Sequence, residues 1–206
     1  MITLYDYWRS SASYRVRIAL GLAGLGWQTV SVDLLAGEHK AAAHLARNPQ
    51  GLVPALEIDG HLLTQSLAIV EYLDETRGLG LLPNDPSQKA RIRASAHAIA
   101  VDLHPICNLG PARHAVSQSA GGITMESWMQ HFIAPGLAAF EVMIDGGTYC
   151  HGEKITLTDI CLMPQVYNAN RWGVSLESFP KLRAAIEALS VHPAFAAAHP
   201  DQVLQS

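Results

Sequence analysis

The stretch LVPALEIDGHLLTQS, residues 52–66, restricts the fold more tightly than any other part of the chain. Pro54 has no N–H to give to a ladder, so the strand it enters must lie at an edge or begin there. Asp59-Gly60 is a dipeptide that favours a tight hairpin turn, which predicts two antiparallel strands around it. A helix, SLAIVEYLDETRG, then opens at Ser66. Upstream, a short strand is predicted near Ile2–Asp6 and a helix near Ser11–Gly24. The helix carries Val16, Ala19, Leu20 and Ala23 at spacings of three and four, a single buried stripe, and is ended by Gly24 and Gly26. QTVSVDL alternates and is β-branched, so it is expected to be a strand. GEHKAAAHLARN is expected to be a short helix that Asn48-Pro49 stops. The resulting order is β-α-β-α-β-β-α.

The pattern changes at GLGLLPNDPSQ. Asp85-Pro86-Ser87-Gln88 combines an N-cap acid, a proline in the first turn and a glutamine at N3. Helical periods alone follow, at about 87–106, 124–144, 156–170 and 179–190, with a second capping box in TLTD, Thr156 to Asp159. The expected class is α/β followed by all-α. An N-terminal domain spans residues 1–80, a linker about 81–86, and a helical domain 87–206.

Charge and composition remove several functions. The 206 residues carry a formal charge of −4 with only 16% charged residues, which is not the basic footprint of a nucleic-acid binder. No uncharged apolar run approaches the roughly eighteen residues of a membrane span. MITLYDYWRSS has a charge at Asp6 and no apolar leader core. Three scattered cysteines, Cys107, Cys150 and Cys161, suggest reduced thiols in a cytoplasmic protein. Ten histidines include no H-E-x-x-H, and His97 and His104, seven apart on a helix, fit packing better than metal ligation. No metal is expected.

Three short motifs bear on chemistry. The β-α-β-α-β-β-α order with a proline before its third strand resembles the thioredoxin fold, whose matching proline is cis. Such a Val53-Pro54 bond leaves the N–H and C=O of Val53 outside the sheet pairing, open to an extended ligand. Gln65-Ser66 opens a helix, where free amides, the dipole and a hydroxyl suit a carboxylate; a plain serine cap is the simpler alternative. RSSAS places Arg9, Ser10, Ser11 and Ser13 at another helix start. One hydroxyl suffices as a cap. The others are free to face a ligand, or are merely small loop residues. The first domain holds no cysteine, so thiol chemistry there needs a borrowed sulfur.

SSASYRVRIAL, NPQGLVPAL, TQSLAIVEYLDET, LLP, HPICNL and LTDICLMPQVYNANRW together resemble the zeta class of glutathione transferases. The resemblance runs nearly the full length. It implies a homodimeric cytoplasmic enzyme of tyrosine and phenylalanine breakdown that uses glutathione to isomerise maleylacetoacetate to fumarylacetoacetate. Ser10 would activate the glutathione thiol, with Ser11 and Arg9 in the catalytic group. Cofactor contacts would fall to Ser10, Ser11, Ala12, His39, Val53, Pro54, Gln65, Ser66, His104, Asn108, Leu109 and Gly110. Arg9 and Arg171 would grip the carboxylates of the diacid, since guanidinium pairs with carboxylate bidentately. Two departures stand out. Ala12 replaces the cysteine usual in the motif, and His39 and His104 stand where glutamine is familiar. The same residues leave open isomerisation of the shorter maleylpyruvate, conjugation or dehalogenation of small halo-acids, and a non-enzymatic glutathione-binding role.

Overall fold

The computed structural model describes residues 1–204. Its contacts divide the chain into two compact units: Met1–Gly80 together with the segment from His192, and Leu81–Val191.

The first unit is built on a four-stranded sheet in the order β2-β1-β3-β4. Its elements are β1 (Thr3–Asp6), α1 (Ser11–Leu22), β2 (Gln28–Ser31), a 3-10 turn at Glu38–Lys40, α2 (Ala42–Leu45), β3 (Ala55–Ile58), β4 (His61–Thr64) and α3 (Ser66–Arg77). β1 pairs with β2 in parallel and with β3 antiparallel, and β3 with β4 antiparallel. Leu4 faces Leu56 and Tyr5 faces Ala55 in register. Because strand side chains alternate, these pairs lie on opposite faces. Tyr5, Tyr7, Val32, Val53 and Ala55 form one buried cluster, with Trp8, Val30 and Leu34 packed on it.

Local signals set the hairpin: Asp59 and Gly60 both take positive φ, 53° and 80°. QTVSVDL is a strand only as far as Ser31. Beyond Val32, the Asp33 carboxylate accepts from the N–H groups of Leu35 and Ala36 and turns the chain away. GEHKAAAHLARN is not one helix either. Ala41 is extended between the 3-10 turn and α2, because tertiary packing decides here. Gly51, at φ +61°, lies so close that a Cβ there would meet the His39 carbonyl at 2.9 Å.

α1 is buried on more than the stripe its apolar spacing predicts: every residue from Ser13 to Leu20 is buried, including Arg15 and Arg17. The cause is the C-terminal segment, α10 (Pro193–Ala198) and α11 (Pro200–Val203). A Cβ on Gly21 would lie 3.1 Å from that of Ala194, so the glycine lets α10 seat against α1. Arg17 completes the join. Its guanidinium donates to both oxygens of Asp6 at 2.9 and 2.7 Å, to the Trp8 carbonyl at 2.9 Å and to the Ala198 carbonyl at 3.1 Å. The helical domain expected over 87–206 therefore gives up its last segment, from His192, to the first unit.

The second unit contains α4 (Pro86–His97), α5 (His104–Ile106), α6 (Leu109–Gln118), α7 (Met125–Met143), α8 (Leu157–Arg171) and α9 (Pro180–Ser190). Asp85 caps α4 by accepting from Gln88 N–H at 2.8 Å. The helix expected over 87–106 is interrupted by a π-helical stretch at Ala98–Leu103. Pro105 cannot donate one turn back, so the ladder changes register ahead of it. α8 is the core element, buried from Leu157 to Val166. At its start the Asp159 carboxylate accepts from Thr156 N–H, Thr156 hydroxyl and Cys150 N–H. A polar clasp ties the 145–151 loop to α4 and α8. Asp145 bonds His151 Nδ1 at 2.9 Å, His151 Nε2 meets Ser95 Oγ at 2.9 Å, and Ser95 meets Thr158 at 2.8 Å. The α6 helix lies where no helix is expected from periodicity.

Candidate functional site

The serine motif sorts itself at the start of α1. Ser10 is the N-cap, and its Oγ accepts from Ser13 N–H at 3.2 Å. That bond uses a lone pair. A serine hydroxyl also has one hydrogen to donate, and at Ser10 that hydrogen has no acceptor among the described residues. Ser11 and Ala12 fill the next two positions, both half-buried, and the Ser11 hydroxyl makes no hydrogen bond among the described residues. Ser13 is fully buried and its Oγ has no partner. Arg9, half-buried, stacks its guanidinium over Trp8 at 5.2 Å and forms no ion pair among the described residues. The α1 N-terminus thus offers hydroxyl hydrogens, amide dipoles and a cation to an incoming anion.

Across the same sheet face, Val53-Pro54 is cis, as the fold pattern predicts, and both residues are buried. The preceding Leu52 carbonyl accepts from His44 Nε2 and Asn48 Nδ2, both at 2.8 Å, which pins the chain as it arrives. Val53 itself joins no backbone hydrogen bond among the described residues. His39, in the 3-10 turn beside this loop, buries an Nδ1 that has no partner. Burial first, then the nearby Lys40 and His44, hold its pKa below the ordinary 6.5.

The third element is the start of α3. Gln65 sits at its N-cap with φ 68° and ψ 110°, a strained conformation for a residue with a side chain. Its amide reaches away to Gln50 Oε1 at 2.6 Å and caps nothing. The N–H groups of Ser66, Leu67 and Ala68 have no partner among the described residues. Ser66 is buried, and Arg15 Nη1 donates to its Oγ at 3.1 Å. Sequence reasoning passed over Arg15. The available signal was a pair of arginines two apart in an otherwise apolar helix, where one face cannot send both to solvent.

The remaining predicted residues belong to the second unit. His104 opens α5 immediately after the π-helical stretch and is half-buried. Asn108 is the N-cap of α6, with no side-chain cap bond, and Leu109 and Gly110 are its first two helical residues. Arg171 ends α8, exposed, with its guanidinium 4.7 Å from the Trp172 ring centre.

The chain's own sulfurs are unsuited to nucleophilic work. All three cysteines are buried, in the second unit. Burial pushes the Cys107 thiol up to about 11. Cys150 is also raised well above its ordinary value, by burial first and then by the Asp159 carboxylate beside it. A site that stabilises a thiolate must therefore receive its sulfur from outside.

Residues 1–75 match the family described as glutathione S-transferase, N-terminal domain. Maleylacetoacetate isomerase of Rhizobium meliloti (strain 1021) is 57% identical, over 97% of this chain and 96% of its own. The holo structure of a maleyl pyruvate isomerase, a bacterial glutathione S-transferase of the zeta class, superposes with a TM-score of 0.91 at 37% identity, covering 97% of both chains. Maleylacetoacetate isomerase from Anaeromyxobacter dehalogenans 2CP-1, solved with bound dicarboxyethyl glutathione and citrate, gives 0.87 at 44% identity, covering 98% of this chain and 95% of that one.

Proposed function

The chain belongs to the zeta-class glutathione transferase family, and on that premise we propose that it is a glutathione-dependent cis–trans isomerase converting maleylacetoacetate to fumarylacetoacetate. The observation that carries the reading is a set of uncommitted polar groups in one unit: the Ser10 hydroxyl hydrogen, the Val53 backbone and the uncapped start of α3. They suit, in turn, a sulfur, an extended peptide and a carboxylate, which are the parts of glutathione.

When bound, glutathione would supply a thiolate nucleophile whose reversible addition makes the conjugated C=C a single bond, the π pair passing to the carbonyl and returning as the sulfur leaves. Ser10 favours the thiolate by donating to it, and the α1 dipole acts in the same direction. Ser11 and Ala12 line that pocket. Val53 and Pro54 hold the cysteinyl segment as an added strand. The Ser66 hydroxyl and the amides of α3 bind the γ-glutamyl carboxylate, with Gln65 setting the entry to that helix. His39, His104, Asn108, Leu109 and Gly110 supply further cofactor contacts. Arg9 and Arg171 hold the diacid by its carboxylates. Ala12 has no sulfur, so the reaction makes no use of one there. Dicarboxyethyl glutathione, held by the Anaeromyxobacter relative, is what a thiol gives on adding across a four-carbon unsaturated diacid.

The test is turnover of maleylacetoacetate with catalytic glutathione, which should be recovered unconsumed, while S-methylglutathione supports nothing. Turnover without glutathione, or its stoichiometric loss into a conjugate, would overturn the proposal. Likeness to the maleyl pyruvate isomerase structure favours a second substrate, maleylpyruvate. Comparing kcat/KM for the two diacids decides between them. A homodimer, measurable by light scattering, and a place in cytoplasmic tyrosine and phenylalanine breakdown are part of the same proposal.

A further inference from the structure

We propose that Arg15 is a positioning residue for glutathione: it holds the Ser66 hydroxyl as a donor toward the γ-glutamyl carboxylate. The role rests on the glutathione reading of Ser66 given above. Arg15 is 2% exposed and Ser66 6%, and their bond is 3.1 Å. A guanidinium only donates, so this bond has a single polarity: Ser66 Oγ accepts. The hydroxyl hydrogen is thereby kept out of the Arg15 direction and is left for another acceptor. The N–H groups of Ser66, Leu67 and Ala68 are also unspent, because Gln65 does not cap the helix. The start of α3 therefore presents donors alone, and a carboxylate accepts from donors alone. Without Arg15, the Ser66 hydroxyl is free to rotate and to turn its lone pairs toward the same amides, as serine does at an ordinary helix start. Arg15 reaches this point from α1, the helix that carries Ser10, so one helix serves both the sulfur end and the carboxylate end of the cofactor.

The experiment measures Kd by calorimetry for two ligands, glutathione and γ-aminobutyryl-cysteinyl-glycine, which lacks only the α-carboxylate. Wild type should prefer glutathione. Arg15→Met should weaken glutathione by about fivefold to tenfold, the range of one oriented hydrogen bond, and leave the analogue's Kd in place. In a Ser66→Ala background the same substitution should no longer change the ratio of the two affinities. If Arg15→Met does not fold, Arg15→Gln carries the test, since its amide stops short of Ser66. Equal weakening of both ligands, or an undiminished effect without the Ser66 hydroxyl, would overturn the role of Arg15. A wild-type protein that binds the two ligands equally, or binds neither, would instead overturn the underlying reading of Ser66.

Discussion

Replacing Ser10 separates the two tasks that the proposed mechanism gives to one hydroxyl. As acceptor it caps α1 through Ser13 N–H at 3.2 Å; as donor it is available to the glutathione sulfur. Ser10→Ala removes both. Loss of an N-cap costs about 1 kcal/mol, which for a chain of this size lowers Tm by roughly 2–4 °C. Loss of a hydrogen bond to a charged sulfur costs about 1.5–3 kcal/mol, or about one to two units of thiol pKa. Ser10→Gly dissects the pair, because glycine at an N-cap costs only a few tenths of a kcal/mol relative to serine. The assay titrates the ultraviolet absorption of the thiolate in the enzyme–glutathione complex, beside Tm and turnover. Both variants should raise the thiol pKa equally and lose most isomerisation at neutral pH, while only Ser10→Ala loses the larger share of Tm. A Ser10→Gly enzyme with an unshifted thiol pKa and full rate would refute the reasoning. Ser10 would then be a cap alone, and Ser11, whose hydroxyl is unspent, would inherit the sulfur.

Other consequences can be checked in parallel. Ser66→Ala should raise KM for glutathione about fivefold to tenfold and lower kcat less, since a contact remote from the sulfur acts alike on ground and transition states; a collapse of kcat at saturating glutathione would contradict this. Arg9→Ala and Arg171→Ala should each cut kcat/KM for the diacid by about tenfold, the lower end for charge-assisted pairs because both guanidiniums reach solvent, and spare conjugation of chlorodinitrobenzene; equal losses would make them structural. His39 is held neutral below its ordinary 6.5 by burial and by Lys40 and His44, so an anionic cofactor beside it should raise that pKa and be bound more tightly as pH falls from 7 through the histidine's range, a trend that His39→Gln should flatten. Ser95→Ala should destabilise the second unit by about 1–3 kcal/mol by leaving His151 Nε2 without its 2.9 Å partner, with no change in glutathione Kd.

What the sequence disclosed depended on how local the cause was. The Asp59-Gly60 turn, the α4 cap at Asp85 and the α8 box at Asp159 are set by residues within a few positions of one another, and each is found as expected. α10 is not local. It reaches α1 through Arg17 and Ala198, 181 residues apart, and no period in either segment announces the partner. Proline-induced re-registration at 98–103 was likewise hidden, because a helical period survives a single π stretch. Of the proposed site, Ser66 was nameable from helix-start chemistry, Val53 from the fold resemblance and Ser10 from the family resemblance. Arg15 was not, because an amphipathic reading sends arginines to water and α1 has no watery face at that height.

That covering of α1 bears on why its motif is so polar. SSASYRVRIAL carries three serine hydroxyls, one phenol and two guanidiniums in eleven residues, and the structure commits them to different degrees. Arg17 makes four hydrogen bonds, to Asp6, Trp8 and Ala198, and fixes where the helix stands. Arg15 donates from Nη1 to the Ser66 hydroxyl, at the start of α3. Ser10 spends a lone pair and keeps its hydrogen. Ser11 spends nothing. A buried charge with a partner removed costs several kcal/mol, so a neutral residue at Arg17 leaves the buried Asp6 carboxylate unpaired and destabilises the first unit. A half-spent hydroxyl can lose its remaining donor with only a cap's worth of stability at stake. Structure and reactivity are therefore separable along one helix. Substitutions at Arg17 should lower Tm and glutathione affinity together, whereas Ser10→Gly should move the thiol pKa with little movement in Tm. A series in which the two quantities track each other at Ser10 would mean that the reactive end is held by the same contacts as the fold.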